Sequence, residues 1–303
     1  MKVFSIILLV LLSSIGTQAQ SFLERGVSSF NKGDLKQAER WFDWALAADS
    51  SDATIWMNRG QVRRSRRNHN GAFEDFKKAF ELDSSNGDAQ FMMALAAFQL
   101  GNFNSALNAN SKALELGNSY GSQTLLNRAQ CFIRLSKNEK ALQDYASAIK
   151  LKDGNLKQSY FDRGQLYMRM NDKSSALADF KKVVEINPNN LQLTWDIGRV
   201  SYEIEEYADA LSYYSKAIDR MEKPQAQMLL VRGEVFEKLK NYEAAIQDYT
   251  RVIAMKQNLA NAYYLRGQAK ARLGNKEDAC VDWQKAAELG NSEAKGIIVY
   301  NCK

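Results

Sequence analysis

Eight alanines divide this chain like a ruler. Ala38, Ala72, Ala106, Ala141, Ala176, Ala210, Ala245 and Ala279 recur at steps of 34, 34, 35, 35, 34, 35 and 34 residues. Twelve residues before each stands a small residue: Gly26, Gly60, Ala94, Ala129, Gly164, Gly198, Gly233 and Gly267. Seven residues after each stands another small or β-branched one, from Ala45 and Ala79 to Val252 and Ala286. A fixed period of this length means repeats that bury their apolar faces against their neighbours, not a single globular core. Length alone, 303 residues, suggests about two domains. The unbroken repeat instead predicts one continuous stacked body. Proline is confined to Pro188 and Pro224, and 45% of residues are hydrophobic, which suits a long helical array with a real core.

The N-terminus differs in kind. Met1 and Lys2 precede an apolar run over residues 3–12, and small residues follow up to Ala19. One positive charge, a short apolar stretch and a small-residue exit predict a signal peptide over residues 1–19, cut after Ala19. The run is short for a bilayer span, which needs about 20 residues. No cysteine follows it, so no lipid anchor is expected, and no other stretch is apolar enough to span a membrane. The protein is therefore expected to be exported, periplasmic or secreted. The net charge of +6 is spread among interspersed acids and bases, with no single-sign tail for nucleic acid.

Within one period the pattern is helical twice over. In the fifth unit, Tyr160, Gly164 and Tyr167 fall on one face of a first helix, and Ala176, Phe180 and Val183 on one face of a second. Each unit reads as helix, short turn, helix. The small residues allow close approach and the aromatics fill the space between. All three extra residues of the 35-residue steps fall between hairpins, where insertions cost least.

This pattern resembles the tetratricopeptide repeat (TPR). With the small residue at −12 numbered 8, the family has an aromatic at 4, Gly at 8, Tyr at 11, Ala at 20, an aromatic at 24, Ala at 27 and Pro at 32. Position 24 here is Phe42, Phe76, Asn110, Tyr145, Phe180, Tyr214, Tyr249 and Trp283, and position 4 includes Phe22, Trp56, Tyr160 and Tyr263. The departures are Asn110, Ser29 and Arg63 at position 11, and a Pro at 32 only in Pro188. The first and third units are expected to pack less tightly. The resemblance implies an all-α, right-handed superhelical solenoid of eight repeats over about 20–52, 53–86, 87–121, 122–156, 157–190, 191–225, 226–259 and 260–291. A capping helix over about 292–301, with Ser292 as N-cap, would complete the domain of residues 20–303.

Six units carry Arg at position 7: Arg25, Arg59, Arg128, Arg163, Arg232 and Arg266. Such a ladder invites an anion-binding reading. Yet sixteen residues after five of them comes an Asp: Asp75, Asp144, Asp179, Asp248 and Asp282. Where Met93 and Ile197 replace the Arg, the Asp is gone too, and beneath Arg25 stands Trp41. This covariation predicts a structural ion pair inside each of those five hairpins, because planar Arg suits a carboxylate in a half-buried site.

In the resembled family, first-helix positions 2, 5, 9, 12 and 13 line a concave groove that takes partner peptides. Position 2 gives Gln123, Gln158, Gln192 and Gln227. Position 5 gives Leu126, Phe161, Trp195 and Tyr264. Position 9 gives Gln61, Gln130, Gln165 and Gln268, with Arg199 and Glu234. Position 13 gives Arg134, Arg169, Lys238 and Arg272. Gln offers a donor and an acceptor to a peptide, and aromatics and Arg anchor interfaces. The strongest local set is Phe161, Gln165, Arg169, Trp195, Arg199, Tyr264 and Gln268. The Lys and Asn that the family's chaperone-binding members place at positions 5 and 9 occur together in no unit, so no such role is expected.

Four arginines at 63–67, followed by His69, form the densest basic run and read as a solvated face or an anion contact. His69 is the only histidine, so no histidine triad and no Cys/His metal cluster can be built. No phosphate-binding glycine loop is present, so neither catalysis nor a cofactor is expected. Cys131 reads as buried and unreactive. Cys280 opens the last repeat's second helix and Cys302 ends the antiparallel cap, so a disulfide between them is expected in an exported protein. The expected role is a non-catalytic scaffold for a protein or peptide in the groove, with no nucleic acid and no stable membrane span. The alternative is a structural or assembly subunit of an envelope complex that uses edge or convex surfaces. Oligomeric state has no sequence signature here.

Overall fold

A computed structural model of the protein describes the backbone of residues 2–302 and side chains from Thr17 onward. Of the leader predicted over residues 1–19, residue 1 lies outside the described residues and the side chains before Thr17 are not described; its backbone begins the first helix. The described residues form 17 α-helices and no strand. The chain divides into two compact units, residues 1–163 and 164–303.

In the first unit, α1 (Lys2–Asn31) pairs with α2 (Leu35–Ala48), α3 (Ala53–Ser65) with α4 (His69–Leu82), α5 (Gly87–Gln99) with α6 (Phe103–Leu116), and α7 (Ser122–Arg134) with α8 (Asn138–Leu151). The next helix is α9 (Leu156–Arg169), followed by α10 (Lys173–Ile186). In the second unit, α11 (Leu191–Glu203) pairs with α12 (Tyr207–Asp219), α13 (Ala226–Lys238) with α14 (Tyr242–Ala254), and α15 (Leu259–Arg272) with α16 (Lys276–Glu288). The short α17 (Ser292–Asn301) packs on α16 and covers its outer face. This is the eight-hairpin plan with a terminal cap.

Each hairpin closes by the same local chemistry. The turn between its helices holds one residue in the left-handed region: Gly33, Arg67, Gly101, Ser136, Asn171, Glu205, Lys240 and Gly274. Three are glycines and Asn171 tolerates this region, so in the other four turns hairpin packing imposes a conformation that the residue itself disfavours. Second helices then start on short polar caps. Asp34, Asn68, Asp172 and Asn241 each accept a bond from the backbone N–H three residues on. Asn291, not Ser292, caps α17, its side chain accepting from the N–H of Ala294. Ser292 is the first helical residue.

The ruler residues make the core. All eight alanines at position 20 are fully buried. Position 8 is small because the position-24 ring of the same hairpin lies flat against it. A Cβ on Gly26 would stand 2.4 Å from Phe42, on Gly60 2.6 Å from Phe76, on Gly198 2.6 Å from Tyr214 and on Gly233 2.4 Å from Tyr249. Any side chain there would displace a buried ring. In the first repeat Trp41 and Trp44 meet edge to face at 4.8 Å, and Phe22 stacks on Trp41 and lies tilted to Trp44 on a partly exposed surface.

Candidate functional site

The repeated arginines are drawn into the scaffold. Arg59 donates from Nε and Nη2 to both oxygens of Asp75 at 3.0 and 2.7 Å. Arg128 does the same to Asp144 at 2.8 and 2.6 Å, Arg232 to Asp248 at 2.7 and 2.7 Å, and Arg266 to Asp282 at 2.9 and 2.7 Å. Arg163 and Asp179 occupy the same two positions, with the carboxylate buried and the guanidinium over the ring of Tyr160. In the first repeat Arg25 lies over the Trp41 ring, 5.0 Å from its centroid. The two-pronged geometry holds the charge on Arg128, Arg232 and Arg266, raising each guanidinium's pKa through the aspartate bond against the opposing effect of burial. For Arg59 burial is the largest single effect and acts downward, but its bonds to Asp75 and Asp43 together outweigh it.

A further regularity was readable in the sequence and is missed by pairing within hairpins alone. The remaining nitrogen, Nη1, reaches back to position 25 of the preceding repeat: Arg59 to Asp43 at 2.8 Å, Arg128 to Ser111 at 3.4 Å, Arg232 to Ser215 at 3.5 Å and Arg266 to Thr250 at 3.1 Å. Where the next repeat lacks the Arg, position 25 is Lys77 or Lys181. Lys181 turns instead to Asp209 and to the face of Tyr213, the residue that replaces the paired Asp in the sixth repeat.

The basic run is partly consumed in the same way. Arg63 bonds Glu39 and Asp75, each at 3.0 Å, and Arg66 pairs with Glu39. These arginines link the first two repeats rather than face solvent as a block.

What first helices leave to solvent is narrower than the five groove positions. Position 13 is exposed in every repeat: Asn31, Ser65, Gln99, Arg134, Arg169, Glu203, Lys238 and Arg272. Position 9 is never buried. Position 5 divides. Leu126 is 3% exposed and belongs to the core, whereas Phe161, Trp195 and Tyr264 are half-buried. Of the singled-out residues in the second unit, Gln165, Arg169 and Arg199 are exposed. Arg199 is held along its own helix by Glu203 at 2.7 Å. Trp195 packs on Tyr214 with ring centroids 4.2 Å apart, so most of its surface serves the core. The Tyr264 hydroxyl accepts from Gln268 Nε2 at 2.7 Å, fixing both. Phe161 lies in the first unit, on α9. No group of three His, Cys, Asp or Glu that could hold a metal ion is found among the described residues.

Comparison with known families decides the identity. Family models described as tetratricopeptide repeat match residues 23–87, 91–155 and 158–190, and one described as TPR repeat matches 233–274. The chain belongs to the tetratricopeptide repeat family. Among curated TPR-bearing relatives, Hsc70-interacting protein 1 of Drosophila melanogaster is 32% identical over 93 residues, 31% of this chain and 24% of its own length. The TPR repeat-containing thioredoxin TDX of Arabidopsis thaliana is 31% identical over the same shares. The matched segment thus spans about a quarter of these relatives. Among solved structures, a complex of Naa15/Naa10 bound to HypK-THB superposes with TM-score 0.65 at 14% identity, over 82% of this chain and 39% of that one. MamA protein gives 0.52 at 23% identity, over 56% of this chain and 92% of that one. These likenesses are of fold.

Two acids on α13 of the second unit, Glu234 and Glu237, are held above the usual glutamate range. Glu237, Gln268, Arg272, Trp283 and Tyr300 line a pocket of about 530 Å³ walled on one side by α17. Burial raises the Glu237 pKa, opposed by the bond it accepts from the Tyr249 hydroxyl at 2.8 Å and by nearby Arg272 and Lys238. Burial also raises that of Glu234, with Glu237 adding repulsion. A carboxyl whose folded pKa lies above its unfolded value binds its proton more tightly when folded. Its contribution therefore falls as pH rises from the usual glutamate range through the raised value. Glu237→Gln, which keeps an acceptor for Tyr249, is expected to melt above the parent at pH 7. That advantage should vanish toward pH 4. Thermal melts across this range check it, and a constant offset at every pH would refute it.

At the C-terminus the sulfurs of Cys280 and Cys302 are joined, with Cα atoms 5.6 Å apart. Cys131 is buried, and burial pushes its thiol up to about 11, so it stays protonated and unreactive. Among the described residues no helix is long and apolar enough to cross a membrane.

Proposed function

We propose that this TPR protein is a non-catalytic, exported scaffold whose first-helix surface holds a protein or peptide partner. One observation carries the reading. Successive first helices leave position 13 exposed and position 9 unburied, and in the second unit these are mainly Gln, Arg and Lys. Arg59, Arg128, Arg232 and Arg266 at position 7, meanwhile, are committed to internal carboxylates. The surface that remains is amide-rich and basic-edged, chemistry that suits peptide backbone and acidic side chains. The relative named Hsc70-interacting protein supports an interaction role by its name. Export is supported by the apolar run at residues 3–12 and by the joined cysteine pair.

The test uses solvent-facing residues, because Trp195 and Tyr264 also serve the core. The variant Gln165→Glu/Arg169→Glu/Arg199→Glu should fold as the parent does. It should lose at least about tenfold in capture of partners from the source organism's envelope fraction. Undiminished capture would reject the groove and move the role to other surfaces. The aromatic cluster of Phe22, Trp41 and Trp44 would then support an assembly subunit that uses an edge.

A further inference from the structure

Seven of the eight repeats place an aromatic ring at position 24, and the third places Asn110. The substitution does more than loosen the packing. Asn110 is only 1% exposed. Its Nδ2 faces Cys131 Sγ at 3.8 Å, and its Oδ1 has no hydrogen-bond partner in the protein. Beside it lies a cavity of about 280 Å³ between α5, α6 and α7, lined by Ala94, Phe98, Asn110, Asn127, Gln130 and Arg134 among others. Asn127 contributes a second unmet valence. Its side-chain oxygen accepts from Gln123 Nε2 at 3.3 Å, while its own Nδ2 is buried and unpartnered. Buried polar atoms without partners are rare in folded proteins and costly, and two of them border this one cavity.

The chemistry of the lining selects its occupant. Asn110 on α6 requires a donor and Asn127 on α7 requires an acceptor. An ionised carboxylate has no donor and an ammonium no acceptor. A hydroxyl must serve both from a single atom. A carboxamide carries donor and acceptor on separate atoms, and its methylene stem suits the apolar walls of Ala94 and Phe98. Arg134, exposed at the rim, lies over the rings of Phe98 and Phe103 at 5.9 and 5.8 Å and is placed to meet the carbonyls of an entering chain. Phe98, Gln130 and Arg134 stand at first-helix positions 12, 9 and 13, so the cavity opens on the surface assigned above to the partner.

We propose that the space left by the missing ring is a socket for a glutamine or asparagine side chain of a bound peptide. The proposal rests on the groove reading for its biological use, but not for its test. The full chain, labelled with ¹⁵N, is titrated with acetyl-Ala-Gln-Ala-amide and with its Glu and Met counterparts. The side-chain amide signals of Asn110 and Asn127 are followed, each assigned by its loss in Asn110→Phe or Asn127→Leu. The glutamine peptide should move both sets of signals with saturation, and the other two should bind at least about tenfold more weakly. Asn110→Phe restores the ring used at this position elsewhere; it should abolish the response at Asn127 and raise the thermal midpoint. If circular dichroism shows that variant unfolded, Asn110→Leu replaces it. Equal responses to all three peptides, no response, or unchanged binding by the filled variant would overturn the socket. No natural partner enters this titration. A saturating glutamine response therefore supports the socket even if the capture experiment rejects the groove, and its absence overturns the socket even if capture succeeds.

Discussion

Asp248→Ala is expected to lower the unfolding free energy by about 3–5 kcal/mol, read by urea denaturation of the full chain. Arg232 and Asp248 are both nearly inaccessible, and the guanidinium meets the carboxylate through two bonds of 2.7 Å. Removing the carboxylate leaves a buried cation whose other partners are the Ser215 hydroxyl at 3.5 Å, exposed Asp219 at 3.8 Å and the Phe236 ring, its centroid 5.8 Å away. The cost comes mostly from that unpaired charge and not from the attraction itself, so an apolar pair at both positions should cost far less than the single change. A loss below about 1 kcal/mol for Asp248→Ala would mean that solvent reaches Arg232 after the substitution, and would undo the structural reading of the whole ladder.

Opening the Cys280–Cys302 link should release the cap. The bond closes a loop of sequence separation 22, for which chain entropy gives about 3 kcal/mol. Little else secures α17: it has ten residues, one of them fully buried, with Ile297 and Ile298 packed against the cluster around Trp283. In Cys302→Ser, hydrogen exchange along α17 should accelerate by about a hundredfold. The amides of α13 and α14 should keep their protection, because solenoid repeats depend chiefly on their neighbours. Protection of α17 unchanged in Cys302→Ser would refute this, as would finding both thiols free in the native protein by non-reducing mass mapping.

Fold and site were unequally legible in the sequence. The alanine and glycine spacing carries the hairpins because sterics are local: a ring at position 24 leaves room only for Gly or Ala sixteen residues earlier, as Phe42 does at Gly26, Tyr145 at Ala129 and Tyr249 at Gly233. Exposure along the first helices was less legible. Position 5 holds large apolar residues throughout the relevant repeats, yet Leu126 is interior while Tyr264 is half open. The difference lies in neighbouring side chains that the repeat register does not encode. Trp195 looks like a free anchor in sequence, and only the structure shows Tyr214 beneath it. Asn110 stands out in the alignment as a lost aromatic. The two orphaned amide atoms and the space between helices become visible only when α5, α6 and α7 are placed together.

The reach of each Nη1 into the hairpin before it bears on how such an array can be rearranged. Six of the seven joints between repeats are of two incompatible kinds: a carboxylate or hydroxyl that receives an arginine, as Asp43, Ser111, Ser215 and Thr250 do, and a lysine, Lys77 or Lys181, where the next repeat has none; the joint before Arg163 carries Ala146. Moving the fourth hairpin into the third place would set Nη1 of Arg128 against the Lys77 cation in place of the Ser111 hydroxyl, while Asp144 stays engaged by the other two nitrogens. The units share one shape but are not interchangeable parts. Their order along the chain is written into which side of each joint carries the positive charge.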